Sequence, residues 1–157
     1  MDIEEQQVIE IVNRTAYIEN LLNQVIENYC SPHKDRFMFF WDVVLDSSIM
    51  PIGSKVKIAM AVAQNVSFRL DQDALHKVMA LRNAFAHHQT GSHPVLVVGK
   101  TTDEDSVHFQ LQVISNSGQI TRKKRHDAYV EFVKSFSSAE VSLVDLLACI
   151  KNETPAV

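Results

Sequence analysis

Eight consecutive residues carry the chemistry that stands out in this chain: Leu81-Arg82-Asn83-Ala84-Phe85-Ala86-His87-His88. An arginine, an amide and two imidazoles fall together just ahead of Gly91 and Pro94, which break a helix. Each residue of an α-helix turns by ~100°, so Asn83 and His87 share a face. Arg82 and His87 stand ~140° apart around the axis, with side chains long enough to lean toward one rim of the helix end. An amide that orients an imidazole beside a permanent cation is suited to handling an anion. In an arbitrary helix the same residues would only complement the C-terminal dipole, with Arg82 paired to a nearby acid.

The elements that must position this stretch follow from periodicity. Residues 2–29 read as one long helix, with Val8, Ile11, Val12, Thr15, Ile18, Leu22, Val25, Ile26 and Tyr29 at helical spacing, Asp2 as a possible cap and Ser31-Pro32 as its end. Residues 34–46 are apolar all round: Phe37, Met38, Phe39, Phe40, Trp41, Val43, Val44, Leu45. Such a segment is either buried, the commoner case, or turned toward a partner chain. A third helix is expected over 54–68 with Ser54 as N-cap. A fourth is capped by Asp71 or Asp73, buries Leu75, Val78, Met79, Leu81, Phe85 and Ala86, and ends at 89–91.

The period then changes from helical to alternating. Strands are expected at 94–98, 107–114 and 119–122, with Asn116-Ser117-Gly118 as a turn and Asp103-Glu104-Asp105 in a loop. A last helix over 126–151 has Ala128, Phe132, Val133, Phe136, Val141, Val144, Leu147 and Ile150 as its core face, followed by a tail over 152–157. The expected fold is a mainly α bundle of about five helices. A small antiparallel sheet, about 93–122, is inserted before the C-terminal helix. No second domain boundary is visible, and 157 residues suit one domain.

The motif Arg82-Asn83-x-x-Ala86-His87 resembles the R-polar-x3-H motif of the HEPN superfamily. Pro51-Ile52-Gly53-Ser54-Lys55-Val56-Lys57-Ile58, followed by Leu75-His76-Lys77-Val78-Met79-Ala80-Leu81, looks like the mannitol operon repressor branch of that group. The resemblance covers roughly residues 50 to 90. It implies metal-independent cleavage of RNA. His87 would be the general base on a ribose 2′-hydroxyl, a task suited to an imidazole with its ordinary pKa of ~6.5. Arg82 would hold the phosphate, and Asn83 would orient the imidazole. His88 would share or replace the role of His87, or be a solvated residue at the helix end. The same resemblance implies a homodimer with two motifs lining one cleft, and a toxin or defence effector paired with an antitoxin protein. The mannitol-repressor likeness implies instead a non-catalytic interaction module or transcription regulator. No helix-turn-helix is recognisable, so direct reading of DNA is not expected.

Composition narrows the classes further. With 46% apolar and 22% charged residues the chain is an ordinary globular one. No apolar run approaches the ~20 residues of a membrane span, and the acidic, polar N-terminus is unlike a signal peptide. A cytoplasmic protein is therefore expected, with Cys30 and Cys149 as buried free thiols. A net charge of −4 argues against coating nucleic acid nonspecifically. Arg122-Lys123-Lys124-Arg125-His126 is the only basic run; it either binds RNA backbone or an acidic antitoxin, or is a solvated strand-to-helix connection. His87, His88 and His93 do not make a metal site, because adjacent helical histidines diverge by ~100°. There is no HExxH, CxxC pair, phosphate-cradling glycine loop or G-x-S-x-G elbow, so no metal or cofactor is expected.

Overall fold

The computed structural model describes residues 3–87, 93–97 and 106–153, with side chains described over 5–87 and 110–152. The fold is mainly helical, with a small antiparallel sheet inserted before the C-terminal helix. The helices are α1 (Ile3–Cys30), the single turn α2 (Phe37–Phe39), α3 (Ile52–Asn65), α4 (Gln72–His87) and α5 (Arg125–Glu153). The strands are β1 (His93–Val97), β2 (Ser106–Ile114) and β3 (Ile120–Lys124), in the order β1-β2-β3. Among the described residues no helix is long and apolar enough to cross a membrane.

Helices α1 and α5 pack along each other, α4 lies on α5 and α3 on α1. One contiguous core results, built from Ile11, Ile18, Leu22 and Val25 of α1, Val56 and Ala59 of α3, Leu75, Val78, Leu81 and Phe85 of α4, and Phe132, Leu143 and Leu146 of α5. Leu111 and Val113 bring the inner face of β2 into it. Helix ends are fixed locally. Ser31 takes φ 46 after α1, so that its N–H donates to the Glu27 carbonyl at 2.8 Å. Asp71, not Asp73, caps α4: its Oδ1 accepts from the Ala74 N–H at 3.0 Å, and its Oδ2 accepts from Ser138 Oγ of α5 at 2.6 Å.

Several expectations change. Helix α3 begins at Ile52 with Pro51 at its cap, and Ser54 lies in the first turn, where its N–H bonds the Pro51 carbonyl. Proline suits the start of a helix, where its missing N–H costs nothing. The apolar segment does not bury itself. It coils through a 3-10 turn (Lys34–Arg36), α2 and a π-helical stretch (Phe40–Val44). Met38 and Phe39 are 65% and 62% exposed, Phe40, Trp41 and Val44 are half-buried, and of the segment only Leu45 is buried. A segment apolar on every side cannot hide every side when it lies on the outside of a bundle. In α5 Ala128, Phe132, Phe136, Leu147 and Ile150 are buried as expected, but Val141 and Val144 are exposed and Ala139, Leu143 and Leu146 are buried instead. Val12 and Tyr29 of α1 are likewise exposed. Cys30 is exposed and Cys149 half-buried, Met79 and Ala86 are half-buried rather than core, and α5 runs past the expected tail boundary to Glu153. The Asp2 cap, the 103–105 acidic loop and the 89–91 helix end lie outside the described residues.

The fully buried Phe85 ring carries the Arg125 guanidinium over its face, 5.0 Å from the centroid. Truncating Phe85 to Ala removes core volume and a cation–π partner together, at a cost of about 3–5 kcal/mol. Urea unfolding followed by far-UV circular dichroism measures this loss.

Candidate functional site

Helix α4 presents the chemical stretch on two different sides. Asn83 and His87 share a face, as their spacing requires, and both line an open cleft of about 630 Å³. The same face carries His76, Ala80 and Ala84. Residues 76, 80, 83 and 87 form an i, i+4, i+7, i+11 stripe, so two histidines stand in one cleft, ~16 Å apart along the axis. The opposite wall is Gln112 and Ile114 of β2 with Ser115 and Asn116 of the following turn. Among the described residues strand β1 pairs with β2 from Ser106 to Gln110, while β3 pairs with it from Gln110 to Ile114. The far end of β2 therefore has β3 along one edge and α4 against it.

Arg82 does not line this cleft. Its Nη1 donates to Asn83 Oδ1 at 3.0 Å, so the amide assigned to the imidazole bonds the guanidinium instead. Among the described residues no side-chain hydrogen bond links Asn83 to His87. Arg82 is half-buried and faces a charge cluster that sequence reading missed. Lys55, in the first turn of α3, is 1% exposed and donates through Nζ to Glu19 Oε1 of α1 at 2.5 Å. Ser47 Oγ donates to the same oxygen at 2.5 Å. Burial raises the Glu19 pKa, yet the bonds from Lys55 and Ser47 and the charges of Lys55 and Arg82 outweigh it and hold the carboxyl below the ordinary carboxylate range. Among the described residues no carboxylate lies within ion-pair distance of Arg82. The guanidinium keeps donors for a further acceptor, since one of its five N–H groups goes to Asn83.

The basic run divides. Its first three residues lie on β3 and Arg125 opens α5, so no solvated connection exists between strand and helix. Lys123 pairs with Glu131. Arg125 stacks on Phe85 and donates from Nε to Gln7 Oε1 at 3.3 Å. Arg122 and Lys124 are exposed. His88 and the side chain of His93 lie outside the described residues. Nothing in the sequence near Lys55 marks it for burial; the stripe from His76 to His87 was legible as helical spacing.

Compared with family models, curated proteins and solved structures, the chain matches none.

Two outcomes follow from these carboxylates. Glu19→Gln leaves the Lys55 ammonium buried without its counter-charge and lowers stability by roughly 3–5 kcal/mol, read from chemical denaturation. Glu19 and Asp71 both have carboxyls held low, Asp71 chiefly by its Ser138 and Ala74 hydrogen bonds. Their contribution is fully present above the ordinary carboxylate pKa of ~4 and is lost as pH falls through the lowered folded values. Stability measured from pH 6 to pH 2 falls in this window, and the fall is shallower in Asp71→Asn.

Proposed function

We propose that this chain is a metal-independent endoribonuclease of HEPN type, cleaving RNA by attack of a ribose 2′-hydroxyl on its own phosphodiester. The observation that carries the reading is His87 and Asn83 on the wall of an open cleft, with Arg82 bonded to Asn83 and free of any described carboxylate. His87 withdraws the 2′-hydroxyl proton. The oxygen attacks phosphorus, and the 5′-oxygen leaves with a proton from a general acid. Arg82, swung from its Asn83 bond or paired with the motif of a second copy, neutralises the phosphorane oxygens. The products are a 2′,3′-cyclic phosphate and a 5′-hydroxyl.

One imidazole serves poorly as both base and acid in a single step, which favours a homodimer with two His87 side chains on one cleft. The exposed apolar surface of Met38, Phe39, Val43 and Ile49 supports this, since it asks for a cover. Its chain continues into Ser47, which bonds Glu19, and the charge of Arg82 acts on that same carboxyl. A seam formed by this surface would thus adjoin Arg82. The protein is proposed to act in the cytoplasm as a toxin or defence effector held in check by an antitoxin protein. The same exposed apolar surface also favours the rival reading, a non-catalytic interaction module or transcription regulator resembling the mannitol operon repressor.

The test is incubation with mixed RNA in chelator. Wild type yields 2′,3′-cyclic phosphate ends, His87→Ala loses at least ~100-fold in rate, and DNA stays intact for want of the 2′-hydroxyl. A folded wild type that leaves RNA intact overturns the nuclease reading in favour of the interaction module. Light scattering is expected to give a dimer that Phe39→Asp converts to monomer.

A further inference from the structure

We infer that Arg122 and Lys124 form a phosphate track on the outer face of the sheet, guiding single-stranded RNA to the His87 cleft. The inference rests on the nuclease reading for its ligand class, and on the sheet register for its residues. Gln112 lines the cleft and is the cross-strand partner of Arg122; Gln110 is the partner of Lys124. Directly opposed residues of an antiparallel pair project from the same face, with Cβ atoms ~5 Å apart. Arg122 therefore stands one strand away from the cleft wall, on its side. Lys124 follows ~7 Å further along the strand. The alternate residues turn inward: Leu111 is buried opposite Lys123, which is spent on Glu131.

Beside the two cations, Ile114 and Ile120 are cross-strand partners on the same face, 53% and 60% exposed. An apolar pair next to a cation row fits unpaired bases attached to their phosphates. A duplex hides its base faces, so it gains nothing from the isoleucines. An acidic protein would also answer the cations, but it has no further contact to make with that pair unless it brings apolar groups of its own.

The experiment uses fluorescence anisotropy with a labelled 12-nucleotide oligouridine, all proteins carrying His87→Ala to prevent cleavage. Arg122→Ala/Lys124→Ala is compared with Lys57→Ala/Lys134→Ala, which removes the same charge from exposed positions on α3 and α5. The track variant is expected to weaken binding at least ~10-fold in low salt. Its slope of log affinity against log salt should fall by about 1.4, two single-strand phosphate contacts, while the control keeps wild-type behaviour. Equal losses in both variants, equal affinity for a 12-base-pair duplex, or equal binding of polyglutamate would each overturn the track; the last points to an acidic protein partner. Cleavage by wild type with no sensitivity to Arg122 and Lys124 would sink the track and leave the nuclease reading. Track-dependent binding without cleavage would do the reverse.

Discussion

A buried ammonium has to be answered by a carboxylate, and in this chain that requirement fastens α3 to α1. Lys55 is almost wholly withdrawn from water, and Glu19 is the anion that reaches it. An unpaired charge at that depth would cost several kcal/mol, so the two helices have little freedom to slide. The same carboxylate takes a hydrogen bond from Ser47 and feels the charge of Arg82. Three helices and the loop after the apolar segment thus meet at one acid. Packing against the core could be met by many registers of two amphipathic helices; this polar contact selects among them.

Helix α4 serves three surfaces at once. Leu75, Val78, Leu81 and Phe85 face the core. Arg82 faces the charge cluster, and His76, Ala80, Asn83 and His87 face the cleft. Its start is held by Asp71, which bonds both its own first turn and Ser138 of α5. The inserted sheet supplies what helices alone would not, a second wall beside the imidazole. Because β3 passes into α5 without a loop, the basic run is divided between strand and helix. Alternation on the strand then separates exposed cations from tied ones.

The apolar segment shows where reading by composition stops. Eight large apolar residues within 34–46 argue for burial by transfer free energy alone. Burial, however, needs room against another element. The segment lies outside the core built by α1, α3, α4 and α5: Leu45 is buried apart from it, Phe40, Trp41 and Val44 are half-buried, and the rest is exposed. The buried face of α5 departs from the expected one in the middle of the helix. Val141 and Val144 turn to solvent while Ala139, Leu143 and Leu146 are buried, and Leu147 and Ile150 rejoin the expected face.

What the sequence determined by itself is what depends on near neighbours in the chain. The long first helix, the capped fourth helix, the switch to alternating strands and the shared face of Asn83 and His87 all follow from spacing over a few residues. Tertiary structure decided what depends on partners far away in the chain. A lysine in a first helical turn reads as solvent-facing until Glu19, thirty-six positions earlier, is placed beside it. Arg122 reads like Lys123 until the sheet register turns one outward and the other toward Glu131. Periodicity fixes directions around one element's axis, whereas charge pairing and burial depend on distances between elements, and those exist only once the chain has closed on itself.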